Sequence, residues 1–413
     1  MRRWWLALGV ALLGAGIATA QRVAIVHWQH HHEARTPLLR ELIDRFQAQN
    51  PGVRIEFEPI PFEQYFDKLT VGLATGRGPD VFQIKMDWAE QFIWGGLVAP
   101  VPEGVLTLQQ ARSRFMAWTI RRLEYQGRLY GLPTDVQHLV LFINDDLARE
   151  AGLDPSRPPR TWEELVAQAR RATKRDAAGN ILQAGLDTRY RWAVYTALLY
   201  QYIPGSVIDP VNLRVNYTSP EGLQAWRIVE QLVRGPQAVD SPRFLTGQFK
   251  FEQNRAVFYI NHPVTRGRLE RMAPNLRYTV APLPAPPGRS PITPGSHWAY
   301  VVNTRSPNAD WAWRWITFIT SEEAQVRWYQ GTGELPAARN LAFTNHPAMV
   351  RTPADRVIFE ALRNVRPTEY VGNADPVRND LFDAIALTNT PLETLVQQAA
   401  QRELEVMRRA LGR

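Results

Sequence analysis

Two kinds of hydrophobic spacing follow one another in the early part of the chain. Residues 23–28 and 81–84 are short apolar runs, and residues 53–58 alternate apolar with charged side chains, patterns that are typical of β-strands. Residues 38–46 repeat their apolar side chains at helical spacing, and Thr36 precedes a proline, which predicts a helix start. The succession of strands and helices predicts an α/β lobe with a largely parallel sheet.

Signals for helix starts dominate the later part of the chain. Thr161 and Thr390 each precede a glutamate by three residues, the spacing of a capping box, and Ser219 precedes a proline. Apolar runs at 139–143 and 298–302 predict buried strands between the helices. We therefore expect a second lobe that is richer in helices.

The chain has 413 residues and no cysteine. Its length exceeds what a single hydrophobic core usually supports, which favours two lobes. Arg2 and Arg3 precede an apolar stretch that ends before Ala18, and this pattern predicts a signal peptide over residues 1–20. Because the stretch is shorter than the roughly 20 residues of a membrane span, and no cysteine is available for lipid attachment, we expect a freely diffusing periplasmic protein.

Charge and short motifs exclude several classes of function. The formal net charge is +8, but basic residues are scattered among acidic ones, so we expect no nucleic-acid partner. His32-Glu33 lacks the second histidine of a zinc-protease helix, and Gly76-Arg77-Gly78 lacks the third glycine of a dinucleotide loop. The sequence contains neither a phosphate-binding Gly-Lys-Ser/Thr loop nor a Gly-x-Ser-x-Gly elbow.

Three stretches carry a resemblance to a known family. They are residues 76–84 (GRGPDVFQI), 127–147 (GRLYGLPTDVQHLVLFINDDL) and 161–165 (TWEEL). In this order they resemble the extracytoplasmic solute-binding proteins of ATP-driven importers, specifically the family similar to maltose-binding protein that carries sugars and oligosaccharides. The resemblance extends over nearly the whole mature chain.

The resemblance implies an α/β fold of the periplasmic-binding-protein type II. In such a fold, two α/β lobes are joined by hinge crossovers, and the ligand cleft lies between them. The family's three crossings would fall near residues 133–136, 294–296 and 318–321. The expected lobes are an N-terminal lobe of residues 21–134 plus 296–318 and a C-terminal lobe of residues 135–295 plus 319–413.

The run His30-His31-His32 lies in the loop after the first predicted strand. Open α/β sheets bind ligands at the carboxyl ends of their strands, and in the resembling family the sugar contacts also begin in this loop. Ligand contact, a solvated loop and a metal site all remain open. A metal site is the weakest of the three, because only His30 and His32 would lie on one side of an extended chain.

Aromatic residues are the second indication of a ligand, with 14 tryptophans and 13 tyrosines in the chain. A sugar presents C–H groups on its ring faces and hydroxyls around its rim, so a sugar site combines flat aromatic surfaces with planar polar groups. We expect the site at two kinds of position: aromatic residues that stand beside such polar groups, and residues that match the family's contact stretches. The predicted ligand-binding residues are Gln29, His30, His31, Lys85, Asp87, Trp88, Gln137, His138, Tyr190, Trp192, Asn261, His262, His297, Trp298 and Tyr370.

One of these stretches departs from the family pattern. Asn261-His262-Pro263 resembles the family's Asn-Gly-Pro-Trp turn, but it has His262 in place of glycine and Val264 in place of the aromatic residue. The stacking surface that maltose-type binders place there is therefore missing. Tyr259, Trp298 or Tyr370 would have to supply it.

The predicted function is that of the substrate-binding protein of an ABC transporter. It would capture a mono- or oligosaccharide without altering it and deliver it to the permease, as a monomer without catalytic residues, metal or cofactor. An alternative ligand is an anionic solute such as a sugar phosphate or polyol phosphate, for which the histidines and Arg189 would supply donors. A more distant alternative is a secreted glycoside hydrolase, which needs two carboxylates about 5–10 Å apart across the scissile bond.

Overall fold

The structure, a computed structural model, describes residues 23–369 and 371–412. The predicted signal peptide and Tyr370 lie outside these residues. The strands are β1 (Val23–His30), β2 (Val53–Ile60), β3 (Val81–Lys85), β4 (Val98–Ala99), β5 (Glu124–Tyr125), β6 (Arg128–Leu129), β7 (Leu132–His138), β8 (Val140–Asn144), β9 (Lys174–Arg175), β10 (Ile181–Asp187), β11 (Ile208–Asp209), β12 (Arg214–Val215), β13 (Ala256–Asn261), β14 (Tyr278–Ala281), β15 (Thr293–Asn303), β16 (Leu335–Pro336) and β17 (Val365–Pro367).

Helices cover both sheets that these strands form. They are α1 (Arg35–Gln49), α2 (Phe62–Ala74), α3 (Leu108–Arg114), α4 (Ala117–Arg121), α5 (Asp145–Glu150), α6 (Trp162–Ala172), α7 (Arg191–Tyr202), α8 (Pro220–Val233), α9 (Thr265–Met272), α10 (Ala309–Ile319), α11 (Glu322–Thr332), α12 (Arg339–Phe343), α13 (Pro353–Ala361), α14 (Asp375–Leu387) and α15 (Leu392–Ala410). No helix in the described part of the chain combines the length and the apolar character that crossing a membrane requires.

Two main sheets organise the molecule. The first has the strand order β16-β7-β15-β3-β1-β2, with β4 and β17 also paired to β15, and the second has the order β14-β8-β13-β10-β9. β1 is parallel to β2 and β3, and β10 is parallel to β13. We call each sheet with the helices that pack on it the first and the second lobe. The predicted α/β fold of two lobes is confirmed.

The chain passes between the two sheets in three places. Leu139 alone separates β7 from β8, residues 282–292 separate β14 from β15, and the last strand of the first sheet ends at Pro367. The predicted third crossing at 318–321 does not coincide with a change of sheet, because β16 and β17 join the first sheet after it. α13, which lies between β16 and β17, packs on β14 of the second sheet. The lobe boundaries therefore stay predictions.

Two predicted helix caps form and two do not. The side chains of Thr161 and Ser219 accept a hydrogen bond, 3.2 Å long in each case, from the backbone N–H three residues later. Glu164 bonds the amide before Thr161, so only half of that capping box forms. The predictions at Thr36 and Thr390 were wrong: α1 begins before Thr36, α15 begins after Pro391, and neither helix has a side-chain cap.

A β-bulge shapes the strand that leads into the first crossing. Asp135 pairs with Trp298 and Pro133 pairs with Ala299, which leaves Thr134 without a partner in the ladder. Proline lacks the N–H that a regular ladder would use there, and the bulge restores the register. The Thr134 hydroxyl bonds the Asp135 carboxylate at 2.5 Å. This local arrangement directs Asp135 into the protein interior, where it is fully buried.

Each lobe has its own hydrophobic core. In the first, Trp313 and Trp315 on α10 are buried, which agrees with the expectation that tryptophans on this helix serve packing. In the second, α14 and α15 pack on α8 and enclose a charged pair. Arg378 donates to both carboxylate oxygens of Glu403 at 3.0 and 2.5 Å, and both side chains are completely buried.

Arg378→Met is expected to destabilise the protein by about 3–5 kcal/mol, because it leaves the buried Glu403 carboxylate without its counter-charge. Arg402→Met is the matched control, since Arg402 pairs with Asp380 across the same two helices but at the surface. Its expected cost is about 0–1 kcal/mol. Urea unfolding measures both changes. Equal losses in the two variants would contradict this account of the buried pair.

Candidate ligand-binding cleft

The carboxyl ends of the parallel strands from both sheets meet beside the first crossing. His262, which follows β13, forms a hydrogen bond of 2.9 Å through Nδ1 with the carbonyl of His138 at the end of β7. Lys85 at the end of β3 lies 3.9 Å from Asp375, the first residue of α14 in the other lobe. These contacts place the strand ends of the two lobes opposite one another. The space between them is the position at which open α/β sheets bind ligands.

An aromatic cluster lies on the first-lobe side of this cleft. The rings of His30 and Trp298 are stacked, with centroids 4.2 Å apart and an interplanar angle of 26°. Trp88 meets Trp298 edge to face at 5.5 Å, and Phe62 lies 5.7 Å from His30. Phe62 is 47 % exposed, whereas the other three are buried. Phe62 therefore offers the accessible ring of this cluster.

A second aromatic cluster lies on the side of the second lobe. Tyr190 and Trp192 are stacked at 5.6 Å and 23°, and His262 lies within 5.8 Å of both rings. The Tyr190 hydroxyl and His262 Nε2 are 3.2 Å apart. Burial lowers the pKa of His262 to about 4, so this ring is neutral at physiological pH. The second cluster thus consists of uncharged aromatic rings and carries one hydroxyl group, that of Tyr190.

The floor of the cleft is a buried ion pair with several hydrogen bonds. The Arg35 guanidinium binds both carboxylate oxygens of Glu334, and its Nη1 lies 2.5 Å from His30 Nε2. Glu334 also accepts hydrogen bonds from Trp328 Nε1 at 2.8 Å and from Gln137 Nε2 at 3.3 Å. Burial opposes ionisation of Glu334, but the Arg35 charge outweighs it and lowers the pKa of the carboxyl. Burial and then the Arg35 charge hold the pKa of His30 well below its usual value.

A further carboxyl group, that of Asp135, adjoins this pair. Burial raises the pKa of Asp135 to about 7, and the nearby Glu334 carboxylate adds to the rise. Arg35 thus supplies one positive charge to two buried carboxyls. Near neutral pH, Asp135 can accept a proton while Glu334 stays ionised.

The charged side chains at the cleft are balanced by neighbours of opposite sign. Lys85 faces Asp375, and Arg191 Nε donates to Asp383 Oδ1 at 2.5 Å. His30 and His262 have lowered pKa values and carry no charge at neutral pH. The cleft therefore presents many polar groups but little net charge.

The structure brings most of the predicted site residues to this cleft. His30, Trp88 and Trp298 belong to the first cluster and Tyr190, Trp192 and His262 to the second. Lys85 and Gln137 lie between the clusters, and His31 is exposed beside them. The Asn261 amide donates to the Tyr259 hydroxyl at 2.5 Å. The Asp87 side chain and Tyr370 are outside the described atoms, so both stay predictions.

Three predicted residues lie in the interior instead. The Tyr300 hydroxyl donates to Gln29 Oε1 at 2.5 Å, and Gln29 is 1 % exposed. His138 is fully buried and bonds the carbonyls of Leu139 and Ile358. His297 is buried edge-on against Trp118. Alternation along a strand directs these side chains away from the cleft, and we do not assign them ligand contact.

Sequence reasoning missed several residues that shape the cleft. Phe62 follows β2 at the same sheet edge as the histidine loop, so its position after a strand was an available signal. Glu334, Arg35 and Asp375 left no such signal, because their partners are distant in sequence. Asp80 accepts a hydrogen bond from the Val26 amide at 2.9 Å and so joins the start of β3 to β1.

No three His, Cys, Asp or Glu side chains in residues 23–369 and 371–412 are placed to share a metal ion. Two acidic groups at the floor of the cleft, those of Asp135 and Glu334, are both buried and engaged in hydrogen bonds.

Two α/β lobes with a polar, aromatic cleft at their crossings define a protein that encloses a small ligand. The sequence pattern of bacterial extracellular solute-binding proteins matches residues 32–326. Since this match covers most of the chain, the protein belongs to the family of bacterial extracellular solute-binding proteins.

Curated relatives cover the chain to different extents. A putative binding protein of Brucella abortus (strain 2308) is 26 % identical over 88 % of this chain and 87 % of its own length. The maltotriose-binding protein of Pyrococcus abyssi (strain GE5 / Orsay) is 22 % identical over 73 % of this chain and 64 % of its own. The sn-glycerol-3-phosphate-binding periplasmic protein of Escherichia coli (strain K12) is 30 % identical, but only over 40 % of this chain and 38 % of its own.

Solved structures agree on the fold. An ABC substrate-binding protein from Listeria monocytogenes, in complex with cycloalternan, superposes with a TM-score of 0.79 at 20 % identity. The match covers 95 % of this chain and 99 % of that one. The fold is therefore that of the type II periplasmic binding proteins, as the sequence predicted.

Asp135 is expected to make the protein less stable as the pH rises from about 4 to about 7. Its pKa is raised from 3.8 to about 7 on folding, so in this range the folded state holds a proton that the unfolded state has released. Each unit of such a shift corresponds to about 1.4 kcal/mol. Asp135→Asn should remove this part of the pH dependence, measured by denaturant unfolding at a series of pH values.

Asp44→Asn provides the control, because Asp44 is an exposed carboxylate on α1. It should keep the pH profile of the unaltered protein. If Asp135→Asn kept that profile as well, the proposed buried protonation would be refuted.

Proposed function

We propose that this protein is the carbohydrate-binding component of an ABC importer. It binds a mono- or oligosaccharide in the cleft between its lobes and releases it, unaltered, to a membrane permease. The observation that carries this proposal is the pair of aromatic clusters on opposite sides of a cleft whose charges are balanced.

Aromatic rings and paired polar groups suit a sugar for a specific physical reason. The C–H faces of a pyranose ring pack on flat aromatic surfaces, and its hydroxyls exchange hydrogen bonds with planar polar side chains. Phe62 and Tyr190 offer accessible rings on the two sides, and Lys85, Gln137 and Asn261 lie at the rim. A neutral ligand needs no uncompensated charge, and the cleft provides none.

The relatives support the same class of ligand. The Pyrococcus protein is named for maltotriose, and the Listeria structure contains cycloalternan. Both are carbohydrates. The size of the ligand and its linkages remain open, since they depend on the cleft dimensions in the closed state.

Binding would act by favouring closure of the two lobes. A ligand that contacts both aromatic clusters has more contacts in the closed form than in the open form, and only such differential affinity shifts the equilibrium. The permease would then recognise the closed form. We propose that the protein does this as a periplasmic monomer after removal of residues 1–20.

The residues proposed to contact the sugar are those near the two aromatic clusters, together with two predicted residues that keep their place as predictions, Asp87 and Tyr370. Compared with the sequence prediction, Phe62 and Asp375 are added, and Gln29, His138 and His297 are left out. The proposed set is His30, His31, Phe62, Lys85, Asp87, Trp88, Gln137, Tyr190, Trp192, Asn261, His262, Trp298, Tyr370 and Asp375.

An anionic ligand is the second candidate, because the Escherichia coli relative is named for glycerol 3-phosphate. That match covers less than half of either chain. In this cleft, Lys85 and Arg191 already face acidic residues, and the lowered pKa values of His30 and His262 keep these two rings neutral at physiological pH. A phosphate would have to displace at least one of these acidic partners, which makes a neutral sugar the better ligand.

Phe62→Ala is expected to weaken saccharide binding about fivefold, because stacking contacts of this kind contribute about 1 kcal/mol. Phe62 is half exposed, so the fold should survive. Titration calorimetry with a panel of mono- and oligosaccharides first identifies a ligand, and then compares the variant with the unaltered protein.

Trp94→Ala is the matched control for this test. Trp94 is 49 % exposed on the same lobe, where it stacks on Tyr125 instead of contributing to the cleft. Its loss should leave saccharide affinity unchanged. If no saccharide of the panel binds, the sugar assignment is wrong. If Phe62→Ala and Trp94→Ala lose the same amount of saccharide affinity, the binding site lies elsewhere.

Ionic strength separates the two candidate ligands. A neutral sugar should bind with nearly the same affinity at low and at physiological salt, because no net charge is neutralised on binding. Glycerol 3-phosphate, if it bound, would weaken with added salt. Calorimetry at both salt concentrations decides, and a strongly salt-dependent affinity of the identified ligand would favour the anionic alternative.

A further inference from the structure

A cavity lies beyond the floor of the cleft, where Pro263, the residue after His262, and Gly333 and Leu335, on either side of Glu334, form part of its lining. Its volume is about 460 Å³, which is within the range of small-molecule sites. It is enclosed by the outer face of α9, the end of α11 and the start of α13. The residues that matter for the argument are Arg266, Glu270, Arg271, Arg351 and Asp355.

The walls of this cavity come from elements of both lobes. α9 follows β13 of the second sheet, whereas α11 packs on α1 and leads into β16 of the first. The two elements lie close together: a Cβ placed on Gly267 would be in van der Waals contact with the Thr332 carbonyl oxygen, at 3.8 Å, and one on Gly333 with Val264 Cα, at 3.7 Å. A change in the angle between the lobes must therefore change the shape of this cavity.

Arginine predominates among the charged residues of the cavity. Arg266, Arg271 and Arg351 face only two acidic residues, Glu270 and Asp355. Arg271 and Arg351 are exposed, and their guanidinium groups form no hydrogen bond or ion pair with any residue in the described parts of the chain. Two guanidinium groups are thus available at the mouth of the cavity.

Asp355 does not compensate these two arginines, because its hydrogen-bonding capacity is already used. Its Oδ1 accepts from Arg266 at 2.5 Å and from the Tyr329 hydroxyl at 3.1 Å. Its Oδ2 accepts from the backbone amides of Arg351 and Thr352 and from the Thr352 hydroxyl, at 2.7–3.0 Å. Burial opposes ionisation of Asp355, but these bonds prevail and lower its pKa. Arg266 and Asp355 therefore compensate each other, and Asp355 has no further hydrogen-bonding capacity for Arg271 or Arg351.

The chemistry of the cavity differs from that of the cleft. Tyr329 is its aromatic residue, but this side chain is 7 % exposed and its hydroxyl is engaged, so it offers no ring face to a sugar. Guanidinium groups, in contrast, bind phosphate and carboxylate oxygens with two parallel hydrogen bonds. We propose that this cavity is a second site, distinct from the sugar cleft, that binds a small oxyanion through Arg271 and Arg351.

Occupation of this site would be linked to ligand binding in the cleft. α9 follows β13 and α13 packs on β14, both of the second sheet, but the end of α11, which packs on α1 of the first lobe, closes the same cavity. An oxyanion held there would therefore favour one arrangement of the lobes over others. By linkage, it then changes the affinity for the ligand in the cleft, and the ligand changes the affinity for the oxyanion by the same factor. The site gives the protein a way to respond to a second solute.

The test measures binding of inorganic phosphate and, separately, of succinate by calorimetry, with no saccharide present. At least one of the two should give a saturable isotherm, which also tells a phosphate from a carboxylate ligand. The double variant Arg271→Ala/Arg351→Ala should raise its dissociation constant at least about tenfold, since each lost guanidinium removes a charge-assisted pair. Both side chains are exposed, so the variant should fold, which circular dichroism checks.

One control locates the site. Arg128→Ala removes an exposed arginine of β6 and should leave oxyanion binding unchanged. The proposal is overturned if neither anion binds at about 10 mM, which would mean a free energy weaker than about −3 kcal/mol. It is equally overturned if the double variant binds normally or if Arg128→Ala weakens binding as much as the double variant does. Because no sugar is used, these outcomes do not depend on whether the cleft binds carbohydrate.

Discussion

One buried guanidinium, that of Arg35, holds the floor of the cleft together. It connects the first turn of α1 with Glu334, which precedes β16, and it contacts His30 at the end of β1. Separating a buried ion pair leaves an uncompensated charge in the interior, at a cost far above that of a surface pair. The positions of His30 and of its stacking partner Trp298 therefore depend on the contact between Arg35 and Glu334. These two residues lie near opposite ends of the first lobe's sequence.

The same contact shapes the electrostatics of the site. Arg35 keeps Glu334 ionised, and burial together with the Arg35 charge lowers the pKa of His30 and keeps its ring neutral. Further out, Lys85 and Arg191 each face a carboxylate. The protein has a formal charge of +8, yet its cleft is close to neutral. The selectivity that we propose for an uncharged ligand would thus come from local pairing and not from the charge of the chain as a whole.

Sequence patterns predicted the two lobes well because strand and helix periods are local properties. The family-like stretches also directed attention to the correct strand ends, including those that carry Lys85, Tyr190 and His262. It was harder to predict which side chains of a strand face the cleft. Successive side chains point to opposite faces of a sheet, so an error of one residue assigns a side chain to the wrong face. His297 and Trp298 illustrate this: they are neighbours in the chain, but one lies in the core and the other in the cluster at the cleft.

Contacts between distant segments could not be predicted from one sequence. Nothing near Glu334 or Asp375 indicates that they pair with Arg35 and Lys85. The pairing of β16 and β17 with the first sheet, after the predicted third crossing, is likewise visible only in three dimensions. Local signals also failed at Thr36 and Thr390, since the helices begin at Arg35 and Leu392.

The insertion of β15 between β3 and β7 has a consequence for the order in which the chain can assemble. Every strand from β8 to β14 is synthesised before β15, so the second sheet is continuous in sequence and can be completed early. The first sheet must wait, with β3 and β7 presenting unpaired edges, until a segment made much later arrives between them. Closing such long loops is slow. The first sheet is therefore expected to form later than the second.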